Sequence, residues 1–190
     1  RPDLQQVAAL LNIETADITK FDAEKKYLSL ENELLVQFLS EQRIIKNQWE
    51  INQISKAVEA TEIGFENLIA SIPRASARGE RLLETAFFEK ARLLGHDLGY
   101  ETIAASGNHA NILHWTKNNG DIVSGDLVLV DAGVEIDSLY TADITRTLPI
   151  SGKFETHQRE IYEVVLEAAD AAFAVCKPGN LFRDMHNEAM

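Results

Sequence analysis

The stretch Leu127–Ile150, LVLVDAGVEIDSLYTADITRTLPI, decides how this chain folds. Leu127 to Val130 is a continuous apolar run, the pattern of a strand buried on both faces, and it ends in Asp131. The later strand, Tyr140–Ile150, places Asp143, Thr145 and Thr147 on one face and Ala142, Ile144, Arg146 and Leu148 on the other. Asp131 and Asp143 are twelve residues apart, an even separation. If the strands pair antiparallel and turn near Asp137, both carboxylates project from the same side of the sheet. Facing carboxylates at a partly buried site repel each other and lose hydration. A retained proton, an inserted basic side chain or a bound cation would each relieve that. A plainer arrangement also satisfies the spacing: Asp131 starts a turn at Ala132-Gly133, and Asp143 pairs with Arg146 or faces solvent. Spacing alone leaves these open.

Upstream, Tyr100–Ala105 and Ala110–Trp115 also read as strands, and Asn118-Asn119-Gly120 is a turn signal. Two amphipathic helices precede them. One runs over about 46–72, with Ile51, Ile54, Val58, Phe65, Leu68 and Ile72 as its stripe and Pro73 at its end. The other runs over about 80–94, with Leu83, Phe87, Ala91 and Leu94 on one face and Gly95 as its stop. A third helix over about 155–176 turns Ile161, Val164, Val165, Ala168, Ala172 and Val175 inward and stops at Lys177-Pro178-Gly179; a fourth begins near Leu181. Residues 1–43 carry two short stripes, Leu4, Val7, Leu10, Leu11 and then Leu34, Leu35, Phe38, Leu39, too little for a domain. Helices, a strand block, then helices again predict an α+β fold with the start of an internal repeat.

Of 190 residues, 18 are Lys or Arg and 30 Asp or Glu, giving a net charge of −12. Such an acidic chain is no nucleic-acid binder, because phosphate contacts need a basic face. No apolar run approaches ~18 residues, so no membrane span is expected. Cys176 is the single cysteine, which excludes an internal disulfide and fits a reducing compartment; the expected location is cytoplasmic. The chain opens at Arg1-Pro2 and closes at Met190 within a helical pattern, and the expectation is a piece of a longer protein.

The segment DAGVEIDSLYTADITRTLPISGKF (131–154) resembles the metal-binding core of Xaa-Pro aminopeptidases, in the pita-bread metallopeptidase family. ASGNHANILHW (105–115) is similar to that family's upstream segment, and RIIKNQWEINQISKA (43–57) to the start of its catalytic domain. HQREIYEVVLEA (157–168) and KPG (177–179) follow in order. The resemblance implies that residues 43–190 form the first part of a pita-bread catalytic domain and 1–42 the end of an N-terminal domain. It implies a ligand set of Asp, Asp, His, Glu and Glu for two divalent metal ions, Mn²⁺ by resemblance. Asp131 and Asp143 match the first two ligands; His186 and Glu188 are not assigned. His114 matches the active-site histidine that contacts substrate and stabilises the tetrahedral intermediate. His109, an odd five residues earlier, falls on the opposite strand face and is assigned to the rim as a substrate-side group. Thr145 is expected to orient a ligand carboxylate.

The implied activity is release of the N-terminal residue from peptides with proline second, by water activated between two metals. The alternatives are a prolidase acting on Xaa-Pro dipeptides, or a metal-free binding module of the same fold. A creatine amidinohydrolase binds no metal and is disfavoured by the two aspartates. Strand and helix faces that the rest of such a domain would cover predict self-association into a homo-oligomer, or local disorder after Lys177. His96 and His157 are expected in solvent and Cys176 in packing.

Overall fold

The computed structural model describes residues 30–75 and 77–190. The stripe from Leu4 to Leu11 and the rest of 1–29 lie outside the described residues. Contacts divide the chain between Asn47 and Gln48 into two units. In the first, α1 spans Leu30–Ile44 and carries the expected Leu34–Leu39 stripe.

In the second unit, α2 (Gln48–Ser71) ends in a 3₁₀ turn, Ile72–Arg74, that holds Pro73. Then come α3 (Gly79–Leu94), β1 (Asp97–Leu98), β2 (Ile103–Ser106), a 3₁₀ turn at Gly107–Asn111, β3 (Leu127–Ala132), β4 (Val134–Glu135), β5 (Ile144–Pro149), α4 (Thr156–Ala174) and α5 (Phe182–Ala189). β2, β3 and β5 form an antiparallel sheet in that order, and β1 pairs antiparallel with β4. α2 and α3 cover one face of this sheet: Leu68, Leu83 and Phe87 pack in one cluster with Val128, Val130 and Val134. Thr61 stitches the layers together, donating to Ala57 O at 2.7 Å and accepting from Val134 N at 3.0 Å.

Several expectations need correction. The buried face of α2 is Ala57, Ala60, Thr61, Gly64, Phe65 and Leu68, whereas Ile51 and Val58 are exposed. The helices approach so closely that a Cβ at Gly64 would lie 2.6 Å from the Phe87 ring, so this point of the seam calls for glycine. β3 alternates instead of burying both faces: Val128, Val130 and Ala132 are buried under the helices, while Leu127, Leu129 and Asp131 are half-exposed. Residues 110–115 form no strand; the chain leaves β2 through a 3₁₀ turn and runs irregularly to β3. The apolar stripe of α4 is exposed at Ile161, Val164 and Val165 and half-buried at Ala168, Ala172 and Val175, where α5 packs against the helix. Cys176 is likewise exposed. Gly95 does end α3, but in extended conformation, φ −138°. A Cβ there would lie 2.6 Å from Glu135 O, so close approach and not left-handed geometry calls for glycine.

Candidate metal centre

Asp131 stands on the half-exposed face of β3, opposite Ile103 of β2 and Thr145 of β5. This register centres the β3–β5 connection on Ser138, one residue beyond the expected Asp137. The even separation still puts Asp143 on the side of Asp131, one step diagonal from the directly opposed Thr145. Within the connection Leu139 takes a left-handed turn (φ 65°), and Ile136 N donates to Tyr140 O at 3.0 Å.

The two carboxylates meet at Tyr100. Its hydroxyl lies 2.5 Å from Asp131 Oδ1 and 2.9 Å from Asp143 Oδ1. A phenol carries one proton, which it shares here between two acceptors. Burial, followed by the bonds to Asp131 and Asp143 and their negative charge, raises the Tyr100 pKa far above its usual value and keeps the hydroxyl protonated. Tyr100, Glu101, Ile103, His114, Thr116, Asp131 and Asp143 line one open cleft of about 470 Å³.

His114 thus reaches the same cleft as the aspartates. His109 is absent from that lining: its Nδ1 lies 2.8 Å from Glu80 Oε1 and its ring stacks on Trp115 at 3.8 Å. The rim assignment for His109 assumed a strand, and the 3₁₀ turn removes that premise. Thr145 stands opposite Asp131 on an exposed position, and the hydroxyl that reaches both carboxylates belongs to Tyr100. Nothing in the local sequence marks Tyr100, since it meets Asp131 only through the β2–β3 pairing.

Tyr100→Phe is expected to destabilise the metal-free chain by about 1.5–3 kcal/mol, the range for a hydrogen bond to a charged group. Urea unfolding reads this, and an unchanged midpoint would show that the hydroxyl does nothing for the carboxylate pair.

Carboxylate oxygens in an open cleft fit a hard divalent cation, and no thiol is at hand to favour a softer one. They are part of a coordination shell only: among the described residues, no group of three or more His, Cys, Asp or Glu is placed to hold a metal ion.

Residues 52–190 match the model of metallopeptidase family M24. The chain belongs to that family. It is 52% identical over 151 residues to Xaa-Pro aminopeptidase 2 of Streptomyces coelicolor, covering 80% of this chain and 32% of the relative. Xaa-Pro aminopeptidase 1 of the same organism is 47% identical over 175 residues, 92% of this chain and 34% of the relative. Zinc-substituted Escherichia coli aminopeptidase P in complex with product superimposes with a TM-score of 0.71 at 34% identity, over 78% of this chain and 33% of that one. The fold is the pita-bread fold of these M24 enzymes, and the chain spans about a third of the length of the relatives it matches.

Proposed function

We propose that this chain supplies Asp131, Asp143 and His114 to a cytoplasmic metal-dependent aminopeptidase that releases the N-terminal residue from peptides with proline second. The observation that carries this reading is the convergence of Asp131 and Asp143, joined by Tyr100, on the cleft that also holds His114. The Xaa-Pro aminopeptidases among its relatives support the substrate class. Both aspartates in place speak against a metal-free binding module.

Asp131 and Asp143 would hold part of the coordination shell of two divalent ions, Mn²⁺ in this reading. When bound, such ions supply Lewis acidity and lower the pKa of water. Tyr100 keeps the two carboxylates turned toward one point. His114 binds the scissile carbonyl oxygen and stabilises the negative charge that develops there. Ile103 and Thr116 wall the cleft beside it. The homo-oligomer reading is supported by the exposed apolar face of α4, and light scattering tests it.

In the full-length, metal-loaded enzyme to which this chain would belong, His114→Ala is expected to lower kcat about 10²–10³-fold, the usual cost of one donor to a developing oxyanion, with metal content unchanged. Asp143→Ala should lose both metal and activity. Turnover of a proline-second peptide, with metal measured in parallel, checks both. Loss of metal on His114→Ala would make that residue a ligand, and activity surviving Asp143→Ala would sink the metallopeptidase reading.

A further inference from the structure

His114 has φ 53°, a left-handed conformation that costs a non-glycine residue roughly 1–2 kcal/mol. Such a residue persists only where its surroundings over-determine it. Those surroundings converge on a residue far upstream, in the first turn of α3. Glu80 is fully buried, with 0% of its surface exposed. Its Oε1 accepts from Ser106 N at 2.8 Å and His109 Nδ1 at 2.8 Å. Its Oε2 accepts from Trp115 Nε1 at 3.0 Å and Gly120 N at 2.6 Å. Burial opposes ionisation of Glu80, but the bonds from Ser106, Trp115, His109 and Gly120 outweigh it and hold the carboxyl below its usual pKa.

These contacts bracket His114. Ser106 and His109 precede it, Trp115 follows it directly and Gly120 lies beyond. His109 stacks on Trp115, and a Cβ at Gly120 would lie 2.6 Å from His109 Nδ1 and 2.7 Å from Glu80 Oε1, so the clamp is closed. Asn118 pins the returning arm independently, donating to Thr102 O and accepting from Ala104 N.

We propose that Glu80 is the positioning residue for His114, its buried carboxylate tying both arms of the 106–120 loop and the adjacent Trp115 so that the imidazole is held at the cleft of Asp131 and Asp143. This rests on His114 acting at the substrate carbonyl, as proposed above. Sequence reading passes over Glu80 because an acidic residue in the first turn of a helix is ordinary complementation of the helix dipole. Its burial and four donors are products of the tertiary fold.

Glu80→Gln is the discriminating change. It keeps size and shape but replaces one acceptor oxygen by an NH₂ donor, so two of the four donors face a donor. In the full-length, metal-loaded enzyme, kcat for a proline-second peptide should fall about 10–100-fold, the scale of a misplaced catalytic group, with KM and metal content retained. Combined with His114→Ala, it should add almost nothing to the loss from His114→Ala alone, since residues acting as a unit are non-additive. A folded Glu80→Gln protein with wild-type kcat, or one whose loss multiplies with that of His114→Ala, would overturn the proposal and leave Glu80 a structural carboxylate. The NMR signal of the Trp115 indole proton in the 190-residue chain gives a reading independent of turnover. It should be slow to exchange in the wild type and fast in Glu80→Gln, while core methyl signals stay put. If His114→Ala proves kinetically silent, the peptidase role of His114 falls, and the indole signal alone decides the clamp: protection retained in Glu80→Gln rejects it, protection lost upholds it.

Discussion

The 190-residue chain by itself is expected to show no hydrolysis of Xaa-Pro peptides, with or without added Mn²⁺. Asp131 and Asp143 bring carboxylate oxygens to one cleft, but affinity for a divalent ion depends on ligand number and preorganisation. Among the described residues no group of three or more His, Cys, Asp or Glu is placed to hold a metal ion, although Glu101 and His114 line the same cleft. The family likeness assigns a histidine and two glutamates to complete the set, and the chain spans only about a third of its relatives. The expected rate is therefore that of the uncatalysed reaction, a loss of many orders of magnitude against a working enzyme. The assay is release of the first residue from a proline-second peptide by purified chain. Activity that disappears on Asp143→Ala would show that the chain holds a complete site, and the division of ligands inferred from the family would be wrong.

Gly133→Ala is expected to be the most damaging single substitution in the fold. Gly133 joins β3 to β4 where the returning chain crosses it: a Cβ there would lie 1.7 Å from Ala142 O and 3.1 Å from the Tyr100 ring. The obstacle is backbone, so no rotamer change relieves it. Moving it separates Ala142 N from Val134 O, a 3.3 Å bond, and displaces Asp143 next in the chain. A cost above about 3 kcal/mol follows from overpacking a site that cannot yield, or roughly 6–12 °C in Tm for a chain of this size. Gly152 is the control. Its φ is 78° but a Cβ would meet nothing within 4 Å, so Gly152→Ala carries backbone strain alone, about 1–2 kcal/mol. Thermal unfolding by circular dichroism compares them, and equal midpoints would mean that the strands part at Gly133 without cost.

Much of the architecture is legible in residue order. The helices over Gln48–Ser71 and Gly79–Leu94, the strand at Leu127 and the helix starting at Thr156 follow from periodicity and from stop signals such as Pro73. The even separation of Asp131 and Asp143 places them on one face of an antiparallel pair, because side chains in strands alternate with period two. Motif likeness then singles out His114. These are local properties, or pairings across a short connection, and a linear reading captures them.

The rest was decided by approach between elements distant in the chain. Which face of the Gln48–Ser71 helix is buried depends on Phe87 lying against Gly64, not on where the largest apolar residues fall. Residues 110–115 have strand composition but find no strand partner; their course is set by Glu80, which also takes His109 away from the cleft. Tyr100 joins the aspartates only because β2 lies beside β3. The apolar stripe of α4 is read correctly as apolar and wrongly as inward, because periodicity shows that a helix has a face to bury but not whether a partner is present to bury it. Residue order was enough to place the helices and the strands at Leu127–Ala132 and Ile144–Pro149 and to set the two aspartates on one face. What surrounds those aspartates depends on the packed fold, because a hydrogen bond between residues thirty or more positions apart leaves no periodic trace in the chain.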